Sequence, residues 1–191
     1  MMKIGLFFGS FNPIHIGHLV IANTMATHTD LQQVWFVISP HNPHKNKKSL
    51  LHEFDRYDMV EKAIFDNPNF KACDIEFHLS QPSYTIDTLT HLQEKYPQHQ
   101  FALIMGSDNL VNFAKWKNYD KILEYYSIYV YPRPNTPQTE FDQHPKINWV
   151  EAPLMDISAT YLRNCIKEGK SIRYLVTESV EELIKRKKFY Q

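Results

Sequence analysis

Apolar and polar positions follow two rhythms along this chain. Continuous apolar runs predict buried strands over residues 3–8, 34–39, 70–77, 100–105, 127–131 and 147–150. Between them apolar residues recur every three or four positions, which predicts helices over 17–28, 52–66, 85–95, 120–125, 158–168 and 179–187. Leu19, Ala22, Met25 and Ala26 share the inner face of the first helix. In the second, Phe54, Tyr57, Met59, Val60, Ala63 and Ile64 are expected inward, with Arg56 directed toward a site. Ile86, Leu89 and Leu92 mark the buried face of the third. Strands and helices in alternation imply βαβ units with right-handed crossovers, hence a parallel sheet. The expected fold is α/β: a Rossmann-like parallel sheet flanked by helices on both faces, in one domain spanning residues 1–191. Such sheets bind ligands at the C-terminal ends of their strands. The residues just after each strand are therefore where chemistry is expected.

Composition narrows the possible partners. Lys and Arg together number 21 and Asp and Glu 21, with a pI near 7.2, so no basic field recruits nucleic acid. An aromatic share of 14% favours a packed globule. No apolar stretch reaches membrane-spanning length, and the N-terminal run is too short for a signal peptide. Cys73 and Cys165 lie far apart without a Cys-x-x-Cys partner, which points to reduced thiols and a cytoplasmic location. Small molecules are the expected partners, with neither nucleic acid nor membrane; monomer and homo-oligomer both fit. The dinucleotide fingerprint Gly-x-Gly-x-x-Gly and the P-loop are absent.

The densest chemistry lies in the stretch from Gly5 to Leu19. A strand ends at Gly9, where the backbone can turn sharply or let a ligand approach. Pro13 keeps Asn12 extended, and a helix begins near Gly17. His15 and His18 thus stand at the free N–H groups of a helix start, a ready place for an anion. Each imidazole can donate a hydrogen bond to a phosphate oxygen; both can equally be half-buried rings bonded to backbone. A zinc site is not expected, because no Cys or carboxylate lies at ligand spacing beside them.

Later loops add candidates. Pro40 to Lys48, with His44 and Lys45, is locally basic and suits an anionic ligand or plain solvent. Ser83 or Thr85 can cap the third helix, beside Tyr84, and its N–H groups can hold a carboxylate. After Gly106, Asp108 can accept bonds from ribose hydroxyls. Trp116 can pack in the core or stack on a heterocycle, and its polar neighbours Lys115, Lys117 and Asn118 favour partial exposure. Arg133, between Pro132 and Pro134, can reach a phosphate or pair with a surface acid. Ser158 is a good N-cap for a helix ended by Gly169, and Thr160 and Arg163 share one of its faces.

Together these motifs resemble the bacterial nicotinate-nucleotide adenylyltransferase family, over nearly the whole chain. His15-Ile16-Gly17-His18 after Gly9-Ser10-Phe11-Asn12-Pro13 is similar to the signature of the nucleotidyltransferase superfamily. Pro43-His44-Lys45, Ser83-Tyr84-Thr85, Asp87-Thr88-Leu89, Gly106-Ser107-Asp108-Asn109-Leu110, Arg133-Pro134 and Ile157-Ser158-Ala159-Thr160 continue it. The family usually shows Ile-Ser-Ser-Thr in the last motif, so Ala159 removes one hydroxyl while keeping the helix N–H groups. The resemblance implies adenylyl transfer from ATP to nicotinate mononucleotide, giving deamido-NAD and pyrophosphate in NAD biosynthesis. His15, His18 and Arg163 would be catalytic. ATP would meet Gly9, Ser10, Phe11, His15, Gly17, His18, Gly106, Asp108, Ile157, Ser158, Thr160 and Arg163. Nicotinate mononucleotide would meet Asn12, His44, Lys45, Tyr84, Thr85, Asp108, Trp116 and Arg133. Mg2+ is expected with the ATP phosphates and no protein metal cage is implied. Two rivals are a sister enzyme acting on phosphopantetheine or a polyol phosphate with CTP, and a catalytically silent nucleotide sensor.

Overall fold

Residues 1–40 and 50–191 are described by the computed structural model. In chain order they form β1 (Met2–Gly9), α1 (Ile16–His28), β2 (Gln33–Ile38), α2 (Glu53–Ile64), β3 (Phe70–Cys73), α3 (Thr85–Lys95), β4 (His99–Gly106) and α4 (Ser107–Leu110). Then come α5 (Tyr119–Tyr125), β5 (Ser127–Tyr131), β6 (Ile147–Trp149), α6 (Ala159–Lys167) and α7 (Glu178–Lys187). Short 3₁₀ turns occupy Ile75–His78 and Phe113–Lys115.

Among the described residues all strand pairings are parallel, in the order β3-β2-β1-β4-β5-β6. The chain runs outward from β1 to β3, then returns to lay β4 on the other side of β1. Strand order therefore reverses between β1 and β4, and a crevice opens beyond their carboxyl ends. Both strands end in glycine, Gly9 and Gly106. Successive side chains of β1 enter opposite cores, as the pleat requires. Phe7 packs with Phe36, Met25 and Met59 under α1, α2, α6 and α7, while Leu6 packs with Trp35, Leu103 and Leu89 under α3 and α5. The central strands are apolar without interruption because both of their faces are covered.

Several expectations are corrected. The strand expected over 70–77 stops at Cys73, and the chain then coils into a turn that buries Ile75 and Glu76. β3 lies at the sheet edge, where a single neighbour sets how far the ladder runs. Phe54 is 59% exposed rather than inward, its ring resting on Phe77 at the surface. Arg56 faces backbone instead of a ligand site: fully buried, it donates to the carbonyls of Ser10, Ser39, Pro40 and Leu51. Helix α3 is entered through Tyr84, without a side-chain cap from Ser83 or Thr85. The Asn12–Pro13 and Gln81–Pro82 peptides are cis.

Candidate active site

The loop after β1 is tightly held. Phe11 has a left-handed backbone (φ 43), an unfavourable state for a bulky residue. Its ring folds back over Gly9, where a Cβ would lie 2.7 Å from the Phe11 ring, and is locked among Phe7, Phe36 and His18. Glycine at position 9 is what allows this. Arg56 fastens the loop from below by donating to the Ser10 carbonyl at 2.7 Å.

His15 caps α1 with an extended backbone, and its own N–H donates to His18 Nδ1 at 3.2 Å. That bond fixes a tautomer. An Nδ1 that accepts carries no proton, so neutral His18 bears its hydrogen on Nε2. The two rings stack with centroids 3.7 Å apart. His15 lies in the wall of the cleft with its Nδ1 unpartnered among the described residues. Burial, aided by the positive charge of Arg133, lowers the His15 pKa to about 4, so the ring is neutral at pH 7. Gly17 lets the His15 ring lie close: a Cβ there would sit 3.1 Å from His15 Nδ1, and the ring would have to shift. The helix start offers fewer open donors than its sequence suggested, because Ile16 N–H goes to the Leu175 carbonyl and His18 N–H to that of His15. An anion placed here would therefore lean on the imidazoles.

His15, Gly17 and His18 line a cleft with Arg133, Met155 and Ile157. Arg133 is braced by its N–H bond to Ser107 Oγ at 2.8 Å and by its guanidinium over the Tyr131 ring. Asp108 stands 3.9 Å from Arg133 Nε and is largely solvated, so the pair is weak. Gly106 gives this crossing room, since a Cβ there would lie 3.2 Å from Arg133 Cγ.

Helix α6 brings the distant end of the chain to the same loop. Ser158 Oγ accepts from Tyr161 N–H as its cap. At the other end Gly169 (φ 67) closes a Schellman motif, with Gly169 N–H on the Ile166 carbonyl and Lys170 N–H on that of Cys165. Arg163 donates to the Asn12 carbonyl at 2.8 Å and to Thr160 Oγ1 at 3.1 Å. Arg163 thus ties the start of α6, through Thr160, to the loop of Gly9 to Asn12.

Tyr84 and Thr85 open α3, and the segment of Trp116 and Lys117 reaches that helix start. Lys117 pairs with Asp87 at 2.8 Å and lies 4.6 Å over the Tyr84 ring. Trp116 is half-buried against Phe113, and Tyr84 is 43% exposed. His44 and Lys45 lie outside the described residues. Sequence reasoning missed Glu76 and Tyr190. Glu76 is buried and accepts from Thr88 Oγ1 at 2.8 Å, with its carboxyl pKa raised by burial. Tyr190 donates to Asn12 Oδ1 at 2.8 Å. Neither stands in a recognisable pattern, though a carboxylate inside an apolar segment was a signal for Glu76.

Residues 6–165 match the cytidylyltransferase-like family model. The chain is 61% identical to a Cytophaga hutchinsonii protein described as a probable nicotinate-nucleotide adenylyltransferase, covering 99% of this chain and 98% of that one. A Flavobacterium johnsoniae protein of the same description is 54% identical, with 100% of both chains covered. The fold is also that of a Plasmodium falciparum nicotinic acid mononucleotide adenylyltransferase solved with NaAD, at TM-score 0.83, 20% identity and coverage of 100% and 98%. The chain belongs to the nicotinate-nucleotide adenylyltransferases, within the cytidylyltransferase-like family.

Proposed function

We propose that this chain moves the adenylyl group of ATP onto nicotinate mononucleotide, releasing deamido-NAD and pyrophosphate, by in-line displacement at the crevice between β1 and β4. The observation that carries the mechanism is the stacked His15–His18 pair, with the His18 tautomer set by the His15 N–H. Family membership carries the choice of substrates.

The 5′-phosphate of the mononucleotide is ionised at neutral pH and needs no general base. Its oxygen attacks the α-phosphorus of ATP as the bond to the bridging oxygen breaks, and that electron pair leaves with pyrophosphate. Catalysis is then alignment plus stabilisation of charge on the passing phosphoryl group. His18 Nε2–H donates to an oxygen of that group. Neutral His15 adds a single N–H, and Arg133 in the same cleft supplies fixed positive charge. Arg163 and the start of α6, with Ser158 and Thr160, address the leaving phosphates, while Gly9, Ser10, Phe11, Gly17, Gly106, Asp108 and Ile157 shape the ATP side. Imidazoles and a guanidinium suit phosphate oxygens rather than a cation, so Mg2+ would enter on the ATP phosphates and neutralise their charge.

On the acceptor side, Trp116 offers a face for the pyridine ring, and the start of α3 at Tyr84 and Thr85 offers N–H groups for the nicotinate carboxylate. Asn12 and Asp108 complete the acceptor contacts, and the family resemblance assigns His44 and Lys45 to the same substrate. The test is pyrophosphate release with nicotinate mononucleotide, nicotinamide mononucleotide, phosphopantetheine and glycerol phosphate, each with ATP and with CTP. Nicotinate mononucleotide with ATP should give the highest kcat/KM. A higher value for any other pair contradicts the assignment.

A further inference from the structure

The chain leaves α7 through two residues in left-handed backbone, Lys188 (φ 53) and Tyr190 (φ 64). Side-chain-bearing residues avoid that region unless surrounding contacts hold them there. Here Phe189 N–H returns to the Ile184 carbonyl and the Phe189 ring packs against the core beneath α1 and α2. The Tyr190 hydroxyl reaches across 178 positions to donate to Asn12 Oδ1 at 2.8 Å. The same oxygen accepts from Leu51 N–H at 3.3 Å, and the Asn12 carbonyl accepts from Arg163 at 2.8 Å. Asn12 is 5% exposed, so these bonds form out of water, where orientation matters most. Two donors on Oδ1 decide which way the amide is turned and direct its Nδ2 away from Tyr190. Burial pushes the Tyr190 hydroxyl far above the ordinary phenol range, so it stays a donor at any working pH.

We propose that Tyr190 is a positioning residue for adenylyl transfer: through Asn12 it sets the loop of Ser10 to Asn12 against Arg163, and the docked C-terminal turn completes the nucleotide site. The role rests on the function proposed above. Tyr190 reaches the loop from one side, Arg163 from α6, and Arg56 holds the Ser10 carbonyl from below. Removing the hydroxyl loosens one of these supports and leaves the core beneath untouched.

Tyr190→Phe in the full chain keeps the ring and deletes only the donor. With ATP and nicotinate mononucleotide, kcat should fall about tenfold with a smaller change in KM, since small errors of alignment cost rate steeply. The melting temperature should stay within about 2 °C. Amide hydrogen exchange over residues 9–18, measured without ligand, should quicken. Removal of residues 190 and 191 should reproduce both effects. A kcat within twofold of the wild type, or unchanged exchange over 9–18, overturns the role of Tyr190. A wild-type chain that releases no pyrophosphate with any acceptor overturns the function itself, a result that Tyr190→Phe alone cannot produce.

Discussion

Two imidazoles stacked 3.7 Å apart would repel each other if both were charged. The chain avoids this by burying His15 beside Arg133, which holds its pKa at about 4. The effect of pH on stability follows with a definite sign. His15 in the unfolded chain titrates near 6.5, so between there and about 4 the unfolded state holds the extra proton. Stability from this group is fully present above pH 6.5 and is lost as pH falls toward 4. The full span corresponds to about 3 kcal/mol. His15→Asn should therefore flatten the curve of unfolding free energy against pH between 6.5 and 4, measured by urea denaturation. Curves that run parallel for variant and wild type would contradict the burial account. The motif residues were legible because His, Gly and Asn carry chemistry that a reader looks for. The left-handed Phe11 was not, because its conformation is imposed by ring packing against residues distant in sequence.

At the level of elements, α2 illustrates what periodicity can and cannot give. Arg56 falls at helical spacing with Met59, Val60 and Ala63, so the inward stripe was legible, and a charge within that stripe marked the position as special. Its partners were not, because they are backbone carbonyls of other segments. Arg56 joins Ser10 after β1, Ser39 and Pro40 after β2, and Leu51 before α2. Arg56→Met would fill similar space and strip four partly buried carbonyls of a donor. It should lower unfolding free energy by about 3 kcal/mol, read from the denaturation midpoint at unchanged slope. A loss below about 1 kcal/mol would mean that water replaces the guanidinium. Helix α6 was read more completely, because Ser158 and Gly169 are the residue types its two ends require. The strand expected over 70–77 failed where the apolar run continued into a buried turn, which burial pattern alone does not separate from a strand.

At the scale of the whole molecule, sheet order decides where chemistry can occur. The reversal between β1 and β4 opens one crevice, and the chain sends its opening loop, the Arg133 segment and α6 toward it. Alternating elements made the parallel sheet legible, and the motifs marked the carboxyl edge where these segments meet. What stayed hidden were contacts joining the two ends of the chain, such as Tyr190 on Asn12, since one side chain 178 positions away leaves no periodic trace. The account depends above all on His18 donating to the phosphoryl group as it is transferred. The most direct measurement is kcat for His18→Ala with saturating ATP and nicotinate mononucleotide, alongside its melting temperature. One preorganised donor is worth roughly 10²–10³ in rate, so kcat should fall by about that factor while the variant stays folded at the assay temperature, the lost His15 N–H bond lowering its melting temperature only modestly. A variant that turns over within threefold of the wild type would contradict the account.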